Sequence, residues 1–167
     1  MLLNIAPSTQ IFNVDKVKYM PKFLGQTDPL MMIQTLAGVQ SSGGLTAGIT
    51  VQGSEDYHTI ISLLDAPVFY PNHLLGLFSG FISPQYSDME FSKSAHDATF
   101  AERLGGGIRL TPDVSVPGLI SVDITVGLIS SDATLKFPLG DKSVITISGR
   151  RSYINTLYNN LLTFEGF

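Results

Sequence analysis

From residue 120 to residue 128 the chain alternates without a break. Ile120, Val122, Ile124, Val126 and Leu128 are apolar, and Ser121, Asp123, Thr125 and Gly127 stand between them. Successive side chains of a β-strand point to opposite faces, so this stretch reads as a strand with one apolar face. A helix would scatter the same residues around its circumference. The phase slips at Ile129-Ser130, after which Ala133, Leu135 and Phe137 carry the apolar side. A bulge or a turn at that point accounts for the slip. A turn over 138–142 and a second long strand over 143–153 follow, so the last third of the chain is read as antiparallel strands.

The preceding residues read differently. Pro112 and Pro117 interrupt any regular element between 111 and 118, which divides the chain into 1–115 and 116–167. In the first part, 3–5 and 10–14 are short strand candidates on either side of Pro7. Asp28-Pro29 opens a helix: the carboxylate can cap free amides, and proline loses nothing at the first helical position. Leu30, Ile33, Leu36 and Ala37 lie at helical spacing, and Gly38 can end the helix in the left-handed conformation. Strands are expected over 46–51 and 60–64. Asp65-Ala66-Pro67 supplies a turn, with Asp65 expected to bind backbone amides two residues on. An extended piece over 68–70 stops at Pro71-Asn72, and 74–81 is read as a loop or short helix. A strand over 88–94, a polar loop over 95–103 and a strand over 108–110 complete an α+β arrangement.

Charged residues make up only 14% of the 167, against about 25% in soluble domains, and 16 glycines and 9 prolines mark a turn-rich chain. That suits a β-rich protein with covered surfaces. No stretch approaches the ~20 apolar residues of a membrane helix, a test that β-barrel strands escape because their signal is alternation. Met1-Leu2-Leu3 is too short for a signal peptide, which leaves a cytosolic protein or a mature fragment with an added Met. Zero cysteines exclude disulfides, and a net charge of −4 gives no footprint for nucleic acid.

Chemistry-bearing residues are sparse. His58, His73 and His96 lack the close spacing of a zinc site, so no metal and no cofactor is expected. Gly76-Leu77-Phe78-Ser79-Gly80 misses the Gly-x-Ser-x-Gly nucleophile elbow by one place, so a hydrolase ranks third and no catalytic residue is assigned. Gly105-Gly106-Gly107 leads into a strand and not a helix, which favours close packing over phosphate binding. Tyr57, His58, Tyr70, Asn72 and His73 cluster at loop ends beside the central strands. They offer stacking and hydrogen bonds, and are the candidate substrate-binding residues.

The stretch 58–81 carries Leu63-Leu64-Asp65, Pro67-Val68, Asn72, His73-Leu74, Gly76 and Phe78-Ser79 in that order. It resembles the plug domain of TonB-dependent outer-membrane receptors of the Bacteroidetes type. Their run is Leu-Leu-Asp-Gly-(Val/Ala)-Pro-Val-Tyr-Asn-x-x-His-Leu-x-Gly-x-Phe-Ser, with Ala66 here in place of its first Gly. Gln52 stands where the family has Arg in Val-Arg-Gly-Gly. The match extends to Pro21 through Gln26, to Ala37-Gly38-Val39 and, far downstream, to Ser148-Gly149-Arg150-Arg151-Ser152-Tyr153, which is similar to the family's first barrel strands.

The resemblance implies a plug over 1–115, a small mixed sheet with short helices. It implies that 116–167 are the first antiparallel strands of an incomplete outer-membrane β-barrel, with one residue of the Arg150-Arg151 pair facing the lumen. It further implies an active transporter of the cell outer membrane and not an enzyme. The plug would gate the barrel and help bind a scarce nutrient, a siderophore, a cobalamin or a glycan. Its partners would be TonB of the inner-membrane energy-coupling complex, the nutrient and a surface lipoprotein. The alternative is a soluble extracellular or periplasmic binding module that reuses the plug fold.

Overall fold

The computed structural model describes residues 9–20, 22, 24–41, 48–73, 76, 78–93 and 104–155, without the side chains of Asp56 and His73. The strand expected at 3–5, the polar loop at 95–103 and His96 lie outside the described residues. The chain falls into two compact units, Met1–Met20 with Asp28–Asp113, and Pro21–Thr27 with Val114–Phe167. The seven residues 21–27 thus leave the first unit before it is complete.

The described elements are strand β1 (Thr9–Asn13), a 3-10 helix (Val14–Tyr19), helix α1 (Leu30–Gln34), and strands β2 (Val39–Ser41), β3 (Ile49–Val51), β4 (Ile60–Leu63), β5 (Ala66–Pro67), β6 (Asn72–His73), β7 (Phe78–Ser79), β8 (Tyr86–Ser92), β9 (Gly107–Pro112), β10 (Ser121–Val126), β11 (Ser130–Pro138) and β12 (Val144–Ser152), with two further 3-10 turns at Asp56–His58 and Ser83–Gln85.

In the first unit, five strands form a mixed sheet in the order β1-β8-β9-β4-β5. Its centre is the parallel pair β4 and β9, with Ile61 opposite Ile108 and Leu63 opposite Leu110. Ile61 of β4, Ile108 and Leu110 of β9, and Met89 and Phe91 of β8 are buried and pack with Val14, Val17, Leu30 and Ile33 into one core. The two glycines before β9, Gly105 and Gly106, owe their place to packing. A Cβ on Gly106 would stand 2.6 Å from Val51 Cγ2 and 3.2 Å from Phe91 Cε2.

Three local expectations are corrected. The helix after Asp28-Pro29 spans only five residues. The Thr35 hydroxyl donates to the Met32 carbonyl at 2.7 Å, and the chain tightens until Gly38 turns it at φ +80. Ala37 is therefore exposed and not on a core face. The stretch 74–81, expected as a loop or short helix, holds a short strand where it is described: Phe78–Ser79 pairs antiparallel with Asn72–His73. The extended piece expected at 68–70 also contributes less than a strand. After Val68, whose N–H donates to the Ile61 carbonyl at 2.8 Å, the ladder stops.

Asp28 is buried, and its carboxylate gathers three donors. Oδ1 accepts the Leu30 N–H at 2.9 Å and the Ser79 hydroxyl at 2.8 Å, and Oδ2 accepts the Ser79 N–H at 2.6 Å. One carboxylate thus opens α1 and pins β7, 51 residues away along the chain.

The second unit is a three-stranded antiparallel sheet, β10-β11-β12. The phase slip in the sequence is a hairpin turn, closed by the Gly127 N–H on the Ser130 carbonyl at 2.9 Å. Register places Val122 opposite Leu135 and Leu135 opposite Ile147 on one face. On the other face Thr125, Asp132 and Arg150 align, as do Asp123, Thr134 and Ser148. The sheet is inverted relative to a water-soluble one. Ser130, Asp132, Thr134 and Lys136 are buried, while Ile124, Val126 and Leu128 are 68%, 73% and 67% exposed.

Two substitutions test the first unit, each read as the urea midpoint of the full chain by near-ultraviolet circular dichroism in dimethylamine-oxide detergent. Asp28→Ala strips three donors of a charged acceptor, and a loss of about 3 kcal/mol is expected. Gly106→Ala overpacks the contact with Val51 and Phe91 and is expected to cost about 1–3 kcal/mol. An unchanged midpoint in either variant contradicts the role given to that residue.

Candidate functional site

The first unit carries an open cleft of about 190 Å³ beside the β4–β5 hairpin. Gly48 and Ile49 border it from β3, Thr59 to Ile61 from the start of β4, and Pro67, Val68, Phe69, Pro71 and Asn72 from the chain after the hairpin. Ile49 and Ile61 are buried and give it an apolar floor, whereas Tyr57 and Phe69 are 62% and 72% exposed. The hairpin sets this geometry. Leu64 adopts φ +56, rare for a residue with a side chain, and reverses the chain so that Ala66 to Val68 return alongside β4.

The five residues singled out in the sequence separate here. Tyr57 and Asn72 line the cleft. His58 is held in its own turn. Its Nδ1 accepts the Glu55 N–H at 3.3 Å, its carbonyl accepts the Gly105 N–H at 3.0 Å, and its ring meets that of Tyr57 edge-on at 4.3 Å. Tyr70 does not line the cleft and is 93% exposed. His73 lies on β6 opposite Phe78, and its side chain lies outside the described residues. Sequence reasoning missed Thr59 and Phe69. Thr59 Oγ1 is buried and has no hydrogen-bond partner in the protein. The missed signal was position: Thr59 directly precedes a buried strand, and Phe69 sits between Pro67 and Pro71.

The electrostatics of the region are one-sided. No Lys or Arg occurs between Lys22 and Lys93, while Asp28, Glu55, Asp56, Asp65, Asp88 and Glu90 do. Arg109 on β9 is engaged away from the cleft lining, with Glu90 Oε2 at 3.1 Å and Asp65 Oδ1 at 3.5 Å. Asp65 therefore meets a guanidinium, where amide bonds had been expected. Burial pushes the Tyr86 phenol up, so it stays neutral where it packs edge-on against Phe81 at 5.8 Å.

Ser79 is fully buried and its hydroxyl donates to Asp28, an arrangement without the exposed Oγ that a nucleophile elbow needs. Among the described residues, no three His, Asp or Glu side chains gather as metal ligands. In the second unit, Arg150 Nε stands 3.7 Å from Asp132 Oδ2, both nearly buried, and the Ser148 hydroxyl donates to Thr134 Oγ1 at 2.9 Å. Arg151, on the opposite face, is exposed.

No family model matches the sequence. No curated protein matches it either. Solved structures do resemble the chain. Two mutant forms of the ferric enterobactin receptor PfeA from Pseudomonas aeruginosa align at 16% identity over 87% of this chain, with TM-scores of 0.61 and 0.60. The copper transporter OprC aligns at 17% identity over 88%, with a TM-score of 0.56. In each case the match spans 24% of the solved chain, so this sequence corresponds to about a quarter of those proteins. At such identity the likeness is one of fold. These structures are TonB-dependent receptors, and the mixed sheet with its few short helices matches their plug domain.

Proposed function

We propose that the chain is the plug and the first barrel strands of an outer-membrane active transporter, with the plug over 1–115 and barrel strands over 116–167. The observation that carries this reading is the inverted sheet. A three-stranded surface that buries Asp132, Thr134, Lys136 and Arg150 and exposes Val122, Ile124, Val126, Ile145 and Ile147 has the polarity of a barrel wall between an aqueous lumen and lipid. In this reading the plug gates the barrel and contributes to nutrient binding, and TonB supplies the energy by pulling on the plug. The motifs around residues 58–81 and 148–153 support the Bacteroidetes type, and with it a surface lipoprotein as partner. Tyr57, His58, Tyr70, Asn72 and His73 remain the proposed nutrient contacts, with Tyr57 and Asn72 best placed.

Among the described residues no helix is long and apolar enough to cross a membrane, so any crossing is made by strands. A charged residue at the middle of a lipid-facing strand costs about 2–4 kcal/mol. The 167-residue chain is therefore expected to self-associate in plain buffer and to disperse to monomers in dimethylamine-oxide detergent, as read by light scattering. Ile124→Arg with Ile147→Arg is expected to relieve the association in buffer. A wild-type chain that is monomeric in buffer would overturn the barrel reading and favour the soluble binding module. In the parent protein, the same pair of substitutions is expected to remove it from the outer-membrane fraction.

A further inference from the structure

We infer that Leu24, Gly25 and Gln26 form a releasable latch on the β10–β11 turn, one that opens while the hairpin that receives it stays folded. The inference deepens the transport reading, and only its consequence rests on that reading: a gate that moves needs a tie that opens.

The latch lies at a crossing of the chain. Residues 21–27 pack with the second unit, although Met20 before them and Asp28 after them belong to the first. The chain thus enters the second unit and returns before its final passage at 113–114. On the return side it is firmly fastened, because the Asp28 carboxylate accepts the Leu30 N–H and both donors of Ser79.

The dock stands without the latch. Its turn is closed by the Gly127 N–H on the Ser130 carbonyl at 2.9 Å. The β12 end braces it from the other side. The Ile129 carbonyl accepts the Tyr153 N–H at 3.0 Å and the Ser152 hydroxyl at 3.1 Å, and the Tyr153 hydroxyl donates to the Gly127 carbonyl. None of these bonds involves residues 24–26.

The latch itself is held by little. The Leu128 N–H donates to the Leu24 carbonyl at 2.8 Å, and the Gln26 amide donates to the Ser130 carbonyl. Of the three latch residues only Gln26 is buried, and it is polar, so no apolar anchor adds to these two bonds.

Three costs fall on the docked state. Leu24 is held at φ +50, a left-handed conformation that a leucine leaves when it is free to. Gln26 Oε1 and Ser130 Oγ are buried without a hydrogen-bond partner among the described residues. The two backbones also meet closely, since a Cβ on Gly25 would stand 2.8 Å from Gly127 Cα. Opening relaxes Leu24 and returns Gln26 and Ser130 to water. These gains offset much of what the two bonds give, which places the latch near balance.

The test is residue-by-residue amide hydrogen exchange on the 167-residue chain in dimethylamine-oxide detergent. Two successive amides separate latch from dock: the Leu128 N–H bonds to Leu24, and the Gly127 N–H bonds to Ser130 within the hairpin. After correction for intrinsic rates, Leu128 is expected to exchange about tenfold faster than Gly127 or more, by a local opening that low urea barely changes. Gly25→Ala is expected to abolish the protection of Leu128 and to leave Gly127 and the β10–β11 ladder as in the wild type. Leu24→Asn supplies a side chain that tolerates the left-handed backbone, and is expected to slow Leu128 severalfold. Equal protection of Leu128 and Gly127 in the wild-type chain would show that latch and hairpin open together, and would overturn the inference. Loss of protection at both amides in Gly25→Ala, or an unslowed Leu128 in Leu24→Asn, also overturns it. Equal protection refutes the latch alone, whereas a chain that is monomeric in plain buffer refutes the barrel reading alone.

Discussion

A sheet whose buried face is polar and whose open face is apolar is stable only where its surroundings reverse the usual rule. In β10–β12 the ladder of Thr125, Asp132 and Arg150, and that of Asp123, Thr134 and Ser148, have the hydrogen-bonding chemistry of a wet interior. The opposite face presents Val122, Ile124, Val126, Leu128, Ile145 and Ile147. In water, each Å² of that face forgoes about 25 cal/mol of burial. Among the described residues, β10 and β12 each pair along one side only, which leaves a row of backbone donors and acceptors open to pairing. In the reading proposed above, lipid on the apolar face and further strands at both edges resolve the two problems together.

The second constraint is topological. Leu24 and Gln26 reach the β10–β11 turn before most of the chain has been laid down. The Leu128 N–H donates to the Leu24 carbonyl at 2.8 Å, and the Gln26 amide donates to the Ser130 carbonyl, 104 residues away. Tyr153 closes the same turn from the far side, its hydroxyl donating to the Gly127 carbonyl. The fit requires glycine at the crossing. A Cβ on Gly127 would stand 2.8 Å from both Gln26 Nε2 and the Leu24 carbonyl oxygen. Loop closure over such a span is slow to form, so the 21–27 segment is expected to lock late in folding.

The long period-two pattern made β10 and β11 legible in the sequence, because alternation survives any tertiary context. β8 and β9 were legible for the same reason. The direction of the alternation was not, since a strand with one apolar face reads the same whether that face meets a core or lipid. The helix after Pro29 was overread. Leu36 and Ala37 sit at helical spacing, but the Thr35 hydroxyl bond and Gly38 end the element first. The β6–β7 pair was invisible, because two-residue strands leave no period to detect and their register depends on the remote carboxylate of Asp28. Of the candidate site, the aromatic Tyr57 and the amide of Asn72 were legible by type. Thr59 was not, because its hydroxyl matters only through the burial that the fold imposes on it.

That remote carboxylate also ties a cleft made of loop residues to the core. Asp28 holds Ser79 by both its backbone N–H and its hydroxyl. Ser79 is the register partner of Asn72, and the Gly80 N–H donates to the Pro71 carbonyl at 2.6 Å. Pro71 and Asn72 are cleft residues, so one side of the cleft is anchored through β7 to a buried charge at the head of α1. The other side is anchored by the Gly105 N–H on the His58 carbonyl, directly behind Tyr57 and Thr59. Two loops that the sequence marks only as polar or aromatic are thereby fixed to the core from opposite directions. The geometry of the cleft therefore depends on Asp28, a residue that does not line it.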